Sequence, residues 1–259
     1  MDTYVITFAN KKGGSGKTTV TLNIGAILGE RGYKVLLIDL DPQAHLSYWS
    51  GIDFNKDFYS IYDCLLDKCP ISETIYTPRH RLYNIIPISN KFDKNIISAL
   101  INMKNSEFRL KRKLLNYKRK YDYILIDTSP TLALMTLNAL IASNFVIVPV
   151  ILNFLAIEGF SQLMSNLYNI NKLYNPYLQL LGIIPNQFDI RSNHAKKMLS
   201  DISENFDKKI IFPKLRNDIK LAEAPEYRLP INLYAKKSKA NMDFNLIVDY
   251  LLDVLKQYS

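Results

Sequence analysis

One short run near the start constrains this chain more than any other: Asn10-Lys11-Lys12-Gly13-Gly14-Ser15-Gly16-Lys17-Thr18-Thr19. It lies between an apolar segment, Tyr4–Ala9, and a segment with helical spacing, Thr18–Arg31. Three glycines in four residues leave the backbone N–H groups of a tight turn unobstructed, so that they can converge on an anion. The start of a helix adds the positive end of its dipole at the same point. Lys17 can then reach the β- and γ-phosphates of a nucleotide, and the Thr18 hydroxyl can ligate Mg²⁺. Such a turn belongs to an α/β sheet whose ligands sit at the carboxyl ends of its strands.

The rest of the chain reads the same way. Strands are expected at Tyr4–Ala9, Val35–Asp39, Tyr83–Ile88, Tyr123–Asp127, Phe145–Val150, Leu178–Pro185 and Lys209–Phe212, several of them nearly continuous Val, Ile and Leu. Helices are expected at Thr18–Arg31, Phe58–Leu66, Ser106–Tyr117, Leu132–Ala142, Ala156–Leu173, Asn193–Asn205 and Ala240–Gln257. The alternation predicts an α/β fold, a doubly wound, mostly parallel sheet flanked by helices. With 259 residues, 48% of them hydrophobic, and no linker-like stretch, one domain over residues 1–259 is expected. The start of the chain runs into a strand without a signal-peptide pattern, and no apolar run approaches the roughly 20 residues that span a bilayer. A cytoplasmic protein with no membrane partner is expected. Cys64 and Cys69 match no common zinc spacing and read as structural thiols in a helix and the turn after it; His45, His80 and His194 are too scattered for a metal site.

Carboxylates tip two of the strands. In Ile38-Asp39-Leu40-Asp41-Pro42-Gln43, strand alternation places Asp39 and Asp41 on one side, where paired acids suit a Mg²⁺ shell and an attacking water. Tyr123-Ile124-Leu125-Ile126-Asp127 is an apolar strand ending in an aspartate, the layout in which Asp127 binds Mg²⁺ through a water.

The phosphate loop departs from the usual pattern: Lys11 stands where a glycine is standard, and Lys12 directly precedes the Gly-Gly pair. Lys-Gly-Gly-x-Gly-Lys-Thr-Thr resembles the deviant Walker A loop of the ParA/MinD superfamily, and Asp-x-Asp-Pro-Gln resembles ParA proteins in particular. The likeness continues through Phe58–Leu66, Asp127–Leu140, Phe145–Val150 with Ala156-Ile-Glu-Gly, Gly182–Asn193 and Leu215–Pro225. It implies a weak, partner-stimulated ATPase using ATP and Mg²⁺, with Gly13, Gly14, Ser15, Gly16, Lys17, Thr18 and Thr19 around the phosphates. Lys12 would reach across an ATP-dependent homodimer to the partner's nucleotide, comparable in role to an arginine finger. Asp41 would position the attacking water and Asp39 support the waters of Mg²⁺, with Thr18 and Asp127 also at the metal. Asn186, and more weakly Pro213, would contact adenine.

The resemblance also implies non-specific double-stranded DNA as a partner, contacted by Arg191 and Lys220, with Arg216, Lys196 and Lys197 nearby. Phosphate contacts of this kind are indifferent to sequence and sensitive to salt. A ParB-like centromere-binding or cargo adaptor protein and a nucleoid-associated location follow from the same likeness. The net charge of +9 suits an anionic partner, although the basic stretch Lys104–Lys120 reads equally well as a solvated helix face. The first strand leaves no room ahead of it for a helix-turn-helix, so specific operator binding is not expected.

Other readings fit less well. A MinD-like membrane-cycling ATPase needs a basic amphipathic terminal helix, but the polar positions of Asn241–Tyr258 carry Asp243, Asp249 and Asp253 against Lys256 alone. An iron–sulfur reductase needs two well-separated cysteines, and a bacterial tyrosine kinase a tail of tyrosines. Within the ParA likeness the cargo stays open: a plasmid, a chromosome or another intracellular assembly.

Overall fold

Six runs rich in β-branched and aromatic residues form one sheet: β1 (Tyr4–Phe8), β2 (Val35–Asp39), β3 (Asn84–Ile86), β4 (Tyr123–Asp127), β5 (Phe145–Ile151) and β6 (Gln179–Asn186). The structure, a computed structural model, describes residues 3–89, 94–131, 133–152, 156–188, 196–200, 204 and 208–258. The strand order is β3-β2-β4-β1-β5-β6 and every neighbouring pair is parallel. Parallel neighbours cannot be joined by a tight turn, so each connection crosses a face and helices come to lie on both sides.

Alternation along β2 shows the two faces. Val35 and Leu37 pack with Ile24 and Leu28 of α1 (Lys17–Glu30) and with Phe244, Ile247 and Leu251 of the C-terminal helix, Lys239–Leu255. Leu36 and Ile38 pack on the other side with Ile61, Leu65, Leu110 and Leu114. All these side chains are buried, and truncating one such leucine to alanine costs about 2–5 kcal/mol. The C-terminal helix is therefore a core element. Among the described residues, no helix is long and apolar enough to cross a membrane. Gly29 of α1 lies against the backbone of Leu82, where a Cβ would strike the Leu82 carbonyl, so contact geometry overrides its poor helix propensity.

The structure differs from the sequence expectations in places. Lys209–Phe212 is not a strand: Lys208–Ile210 is a 3₁₀ turn, and only Ile211 bridges β6, at Ile183. The Phe212 N–H donates to Ile183 O and the Leu215 N–H to Pro185 O, so three steps here span two of β6. Pro213, with no N–H, stands at that slip, and regular pairing fails. Ser106–Tyr117 divides into a 3₁₀ turn, Ser106–Phe108, and a short helix, Arg109–Leu114. The short helices His45–Trp49, Lys94–Ile101, Ile219–Glu223 and Ile231–Tyr234 were not anticipated. Most of Asn193–Asn205 lies outside the described residues. Cys64 and Cys69 are buried free thiols, and burial pushes the Cys64 thiol up to about 11.

Candidate active site

Strand register fixes where the site forms. Asp127 at the end of β4 pairs with Phe8 of β1 on one side and with Asp39 of β2 on the other. Three adjacent strands thus bring the glycine-rich loop and both aspartates to one edge.

The loop itself needs glycine. Gly14 and Gly16 have φ of 71° and 91°, a left-handed conformation that is strained for other residues, and a Cβ on Gly16 would meet the Asn186 amide. Two asparagines anchor the loop to the sheet. Asn10 Nδ2 donates to Pro149 O at 2.7 Å while its Oδ1 accepts the Lys12 N–H at 3.0 Å. Asn186 Nδ2 donates to Ser15 O at 2.8 Å, and its Oδ1 accepts the Gln187 N–H. Among the described residues, nothing accepts the backbone N–H groups of Gly13, Gly14, Ser15 or Gly16, which leaves them for an anion. The loop opens on a cleft of about 460 Å³, lined also by Thr18, Thr19, Asp41, Trp49, Asn186 and Arg216–Asp218. Trp49 is stacked on His45, their rings 5.7 Å apart and 10° from parallel.

Four charged groups crowd the floor. Burial lowers the pKa of Lys17, against the opposing pull of Asp127 and Asp41. Asp127 is fully buried, and that burial, aided by the charge of Asp39, raises its pKa well above the ordinary carboxylate value. Thr18 lies close enough to favour the charged form, yet neither carboxylate oxygen of Asp127 has a hydrogen-bond partner among the described residues. Asp39 is equally deep, and burial pushes it up to about 7. Its oxygens, by contrast, are taken: Oδ2 accepts the Ser47 hydroxyl at 2.7 Å and the Ser47 N–H at 2.8 Å, and Oδ1 the Asp41 N–H at 3.1 Å. Asp41 lines the cleft and accepts the Gln43 N–H at 3.0 Å.

Two buried, unpartnered carboxylate oxygens beside a threonine hydroxyl fit a hard divalent cation. Mg²⁺ takes few protein ligands and fills its shell with water and substrate phosphates. No cluster of three or more His, Cys, Asp or Glu able to hold a metal is present among the described residues.

The remaining expected residues are spread from the loop outward. Lys12 is half-buried at the loop. Pro213 lines a neighbouring apolar cavity of about 490 Å³ with Phe188, Phe212 and Tyr250. Arg216 is held by Asp243, and Lys220 is exposed with its Nζ 2.9 Å from Glu223. Lys196 and Lys197 are exposed, and Arg191 lies outside the described residues. In the basic stretch, Arg109 and Lys113 both pair with Asp67. Sequence reasoning missed Asn10, Ser47, Trp49 and Asp243. Asn10, directly ahead of the lysine pair, was the only one with a local cue.

Comparison with known proteins shows similarity in sequence and in fold. The model of a family described as an AAA domain matches residues 3–180. The chain is 35% identical over 235 residues to the chromosome partitioning protein ParA of Myxococcus xanthus, covering 91% of this chain and 83% of that one. It superposes on a cobyrinic acid a,c-diamide synthase from Mycobacterium smegmatis with bound ADP and magnesium. That match has a TM-score of 0.84 and 30% identity over 99% of this chain and 97% of the other. A plasmid partition protein from Borrelia burgdorferi bound to AMPPNP matches with a TM-score of 0.80 at 26% identity, covering 97% and 99%.

Proposed function

The chain belongs to the ParA/MinD-type P-loop ATPases, and on that premise we propose that it is a nucleotide-switched partition ATPase. In this reading it dimerises around ATP, hydrolyses it slowly, binds duplex DNA without regard to sequence, and segregates a plasmid or chromosome with a ParB-like partner. The observation that carries the reading is the buried, unpartnered Asp127 carboxylate near Lys17 and Thr18, on the floor below the glycine-rich loop. The partition functions in the names of the Myxococcus and Borrelia proteins support the choice of cargo.

One ATPase domain spans residues 1–259 and works in the cytoplasm on the nucleoid. Residues Gly13–Thr19 cradle the phosphates, Lys17 neutralises β- and γ-phosphate charge, and Thr18 and Asp127 hold Mg²⁺ with Asp39 behind them. Bound there, Mg²⁺ offsets charge on the transferring phosphoryl group. Asp41 orients the water, Lys12 reaches the partner subunit's nucleotide, and Asn186 faces the base, with Pro213 in the neighbouring cavity. Lys220 and Arg191 meet DNA phosphates.

The test is a mobility-shift titration of random-sequence duplex with ATP, with ADP and without nucleotide. Binding is expected only with ATP, with log K falling against log salt by about 0.9 per neutralised phosphate, so that a dimer roughly doubles the total slope. Lys220→Glu and Arg191→Glu should each lose binding at moderate salt while keeping ATP. Light scattering with ATP should show Asp41→Ala as a dimer and Lys12→Ala as a monomer. DNA binding that ignores nucleotide, or survives both reversals, overturns the reading.

A further inference from the structure

Part of the cleft wall is a loop, Arg216-Asn217-Asp218, far in sequence from the phosphate loop. Two carboxylates, running in opposite directions, tie it to the start of the helix Lys239–Leu255. Asp243, from the helix, takes the Arg216 guanidinium in a fork: Nε donates to Oδ2 at 2.9 Å and Oδ1 at 3.1 Å, and Nη2 donates to Oδ1 at 2.7 Å. The Arg216 backbone N–H adds a bond to Oδ2 at 3.0 Å. Asp218, from the loop, accepts the Ala240 N–H at 3.0 Å with Oδ2, while its Oδ1 accepts the Lys220 N–H at 3.0 Å.

The exposure of the two partners separates their roles. The Asp243 side chain is 5% exposed and that of Arg216 43%. A carboxylate so deep requires its partner, because an unpaired buried charge is strongly destabilising. The fork fixes direction as well as distance, which a lysine could not do. An arginine spent in this way has its Nε and Nη2 committed to Asp243.

We infer that Asp243 is a positioning residue of the nucleotide cleft, acting through Arg216 to hold Asn217 and Asp218 in the wall that receives the nucleotide. The inference rests on the ATP-binding reading above and gives Arg216 to the cleft, not to DNA. Lys17, Asp41 and Asp127 stand on other elements, so the strap sets affinity and not the chemical step.

Four variants of the full chain test this by calorimetry with ATP and magnesium and by steady-state turnover. Asp243→Asn should weaken ATP binding about tenfold and leave kcat within about twofold. Arg216→Lys keeps the charge but loses the fork, so it should match that loss while holding DNA normally at saturating ATP. Asp243→Glu, which restores a carboxylate, should recover part of the affinity. Asp249→Asn, exposed on the same helix and paired with Arg31, should change neither quantity. A lower melting temperature in Asp243→Asn and Arg216→Lys with ATP affinity intact overturns the strap. So does an Arg216→Lys variant that loses DNA but not ATP. A parent protein that takes up no nucleotide overturns the inference together with the reading beneath it. A parent that binds, with both variants binding as tightly, overturns the strap alone.

Discussion

Asp39 and Asp127 are the same residue at the same depth, paired in register on neighbouring strands, yet they are left in opposite states. After β2 the chain turns back through Asp41 into the helix His45–Trp49, and Ser47 delivers a hydroxyl and an N–H to Asp39. After β4 the Thr128 hydroxyl goes instead to Phe8 O and that of Ser129 to Thr131, and neither oxygen of Asp127 has a hydrogen-bond partner among the described residues. The strand alone does not decide what a terminal aspartate becomes; the residues that follow it do. One carboxylate is a strut that holds the turn, and the other is a socket whose desolvation is left for a ligand to offset.

The largest effect that would break this contrast is on turnover. Asp127→Asn should lower ATP hydrolysis on the order of 10²- to 10³-fold, as expected when a group stabilising transition-state charge is removed. The ligand-free variant should melt no lower than the parent, because an uncompensated buried carboxyl has gone. A variant that melts several degrees lower would make Asp127 a second strut.

Ser47→Ala is the converse. It removes the hydroxyl donor from a buried carboxylate and should cost about 1–3 kcal/mol in chemical denaturation, with ATP affinity retained. Unchanged stability would take the strut away.

The smallest effect is on pH dependence, and it sharpens the comparison. Burial holds Asp39 at about 7, above its value in the unfolded chain, so between those values the folded protein binds the extra proton. That contribution is fully present below the unfolded pKa, near 4, and is lost as pH rises through about 7. Ligand-free stability should therefore fall, by on the order of 1 kcal/mol, from about pH 6 to about pH 7, measured as Asp127→Asn minus the double variant Asp39→Asn with Asp127→Asn, because the charge of Asp39 also bears on Asp127. A difference that grows with pH would reverse the sign and refute the protonated strut. Asp67, held low by its hydrogen bond from Lys113, pushes the opposite way in both proteins and cancels in the subtraction.

What the sequence disclosed follows how local each feature is. β2 and β4 are short apolar runs ending in aspartate, and their bounds are those expected from the sequence. The glycine-rich loop is likewise contiguous in the chain. The helix His45–Trp49 was invisible because it is one short turn, opened by Ala44 at φ 55° without a side-chain cap. The edge at Lys209–Phe212 misled because its composition suits a strand, while its pairing fails at Pro213. The grip of Ser47 on Asp39 and the pairing of Arg216 with Asp243 are tertiary contacts that no spacing announces.

Trp49 is the only tryptophan in the chain, and it sits in the cleft wall with its ring stacked on His45. Ultraviolet emission from the indole therefore originates at the cleft and nowhere else in the protein. Every photon collected at the red edge of excitation reports the surroundings of one ring, without the averaging over distant chromophores that blurs such signals in most proteins. The arrival and departure of a ligand beside that ring could be timed in a stopped-flow spectrometer on the unlabelled chain.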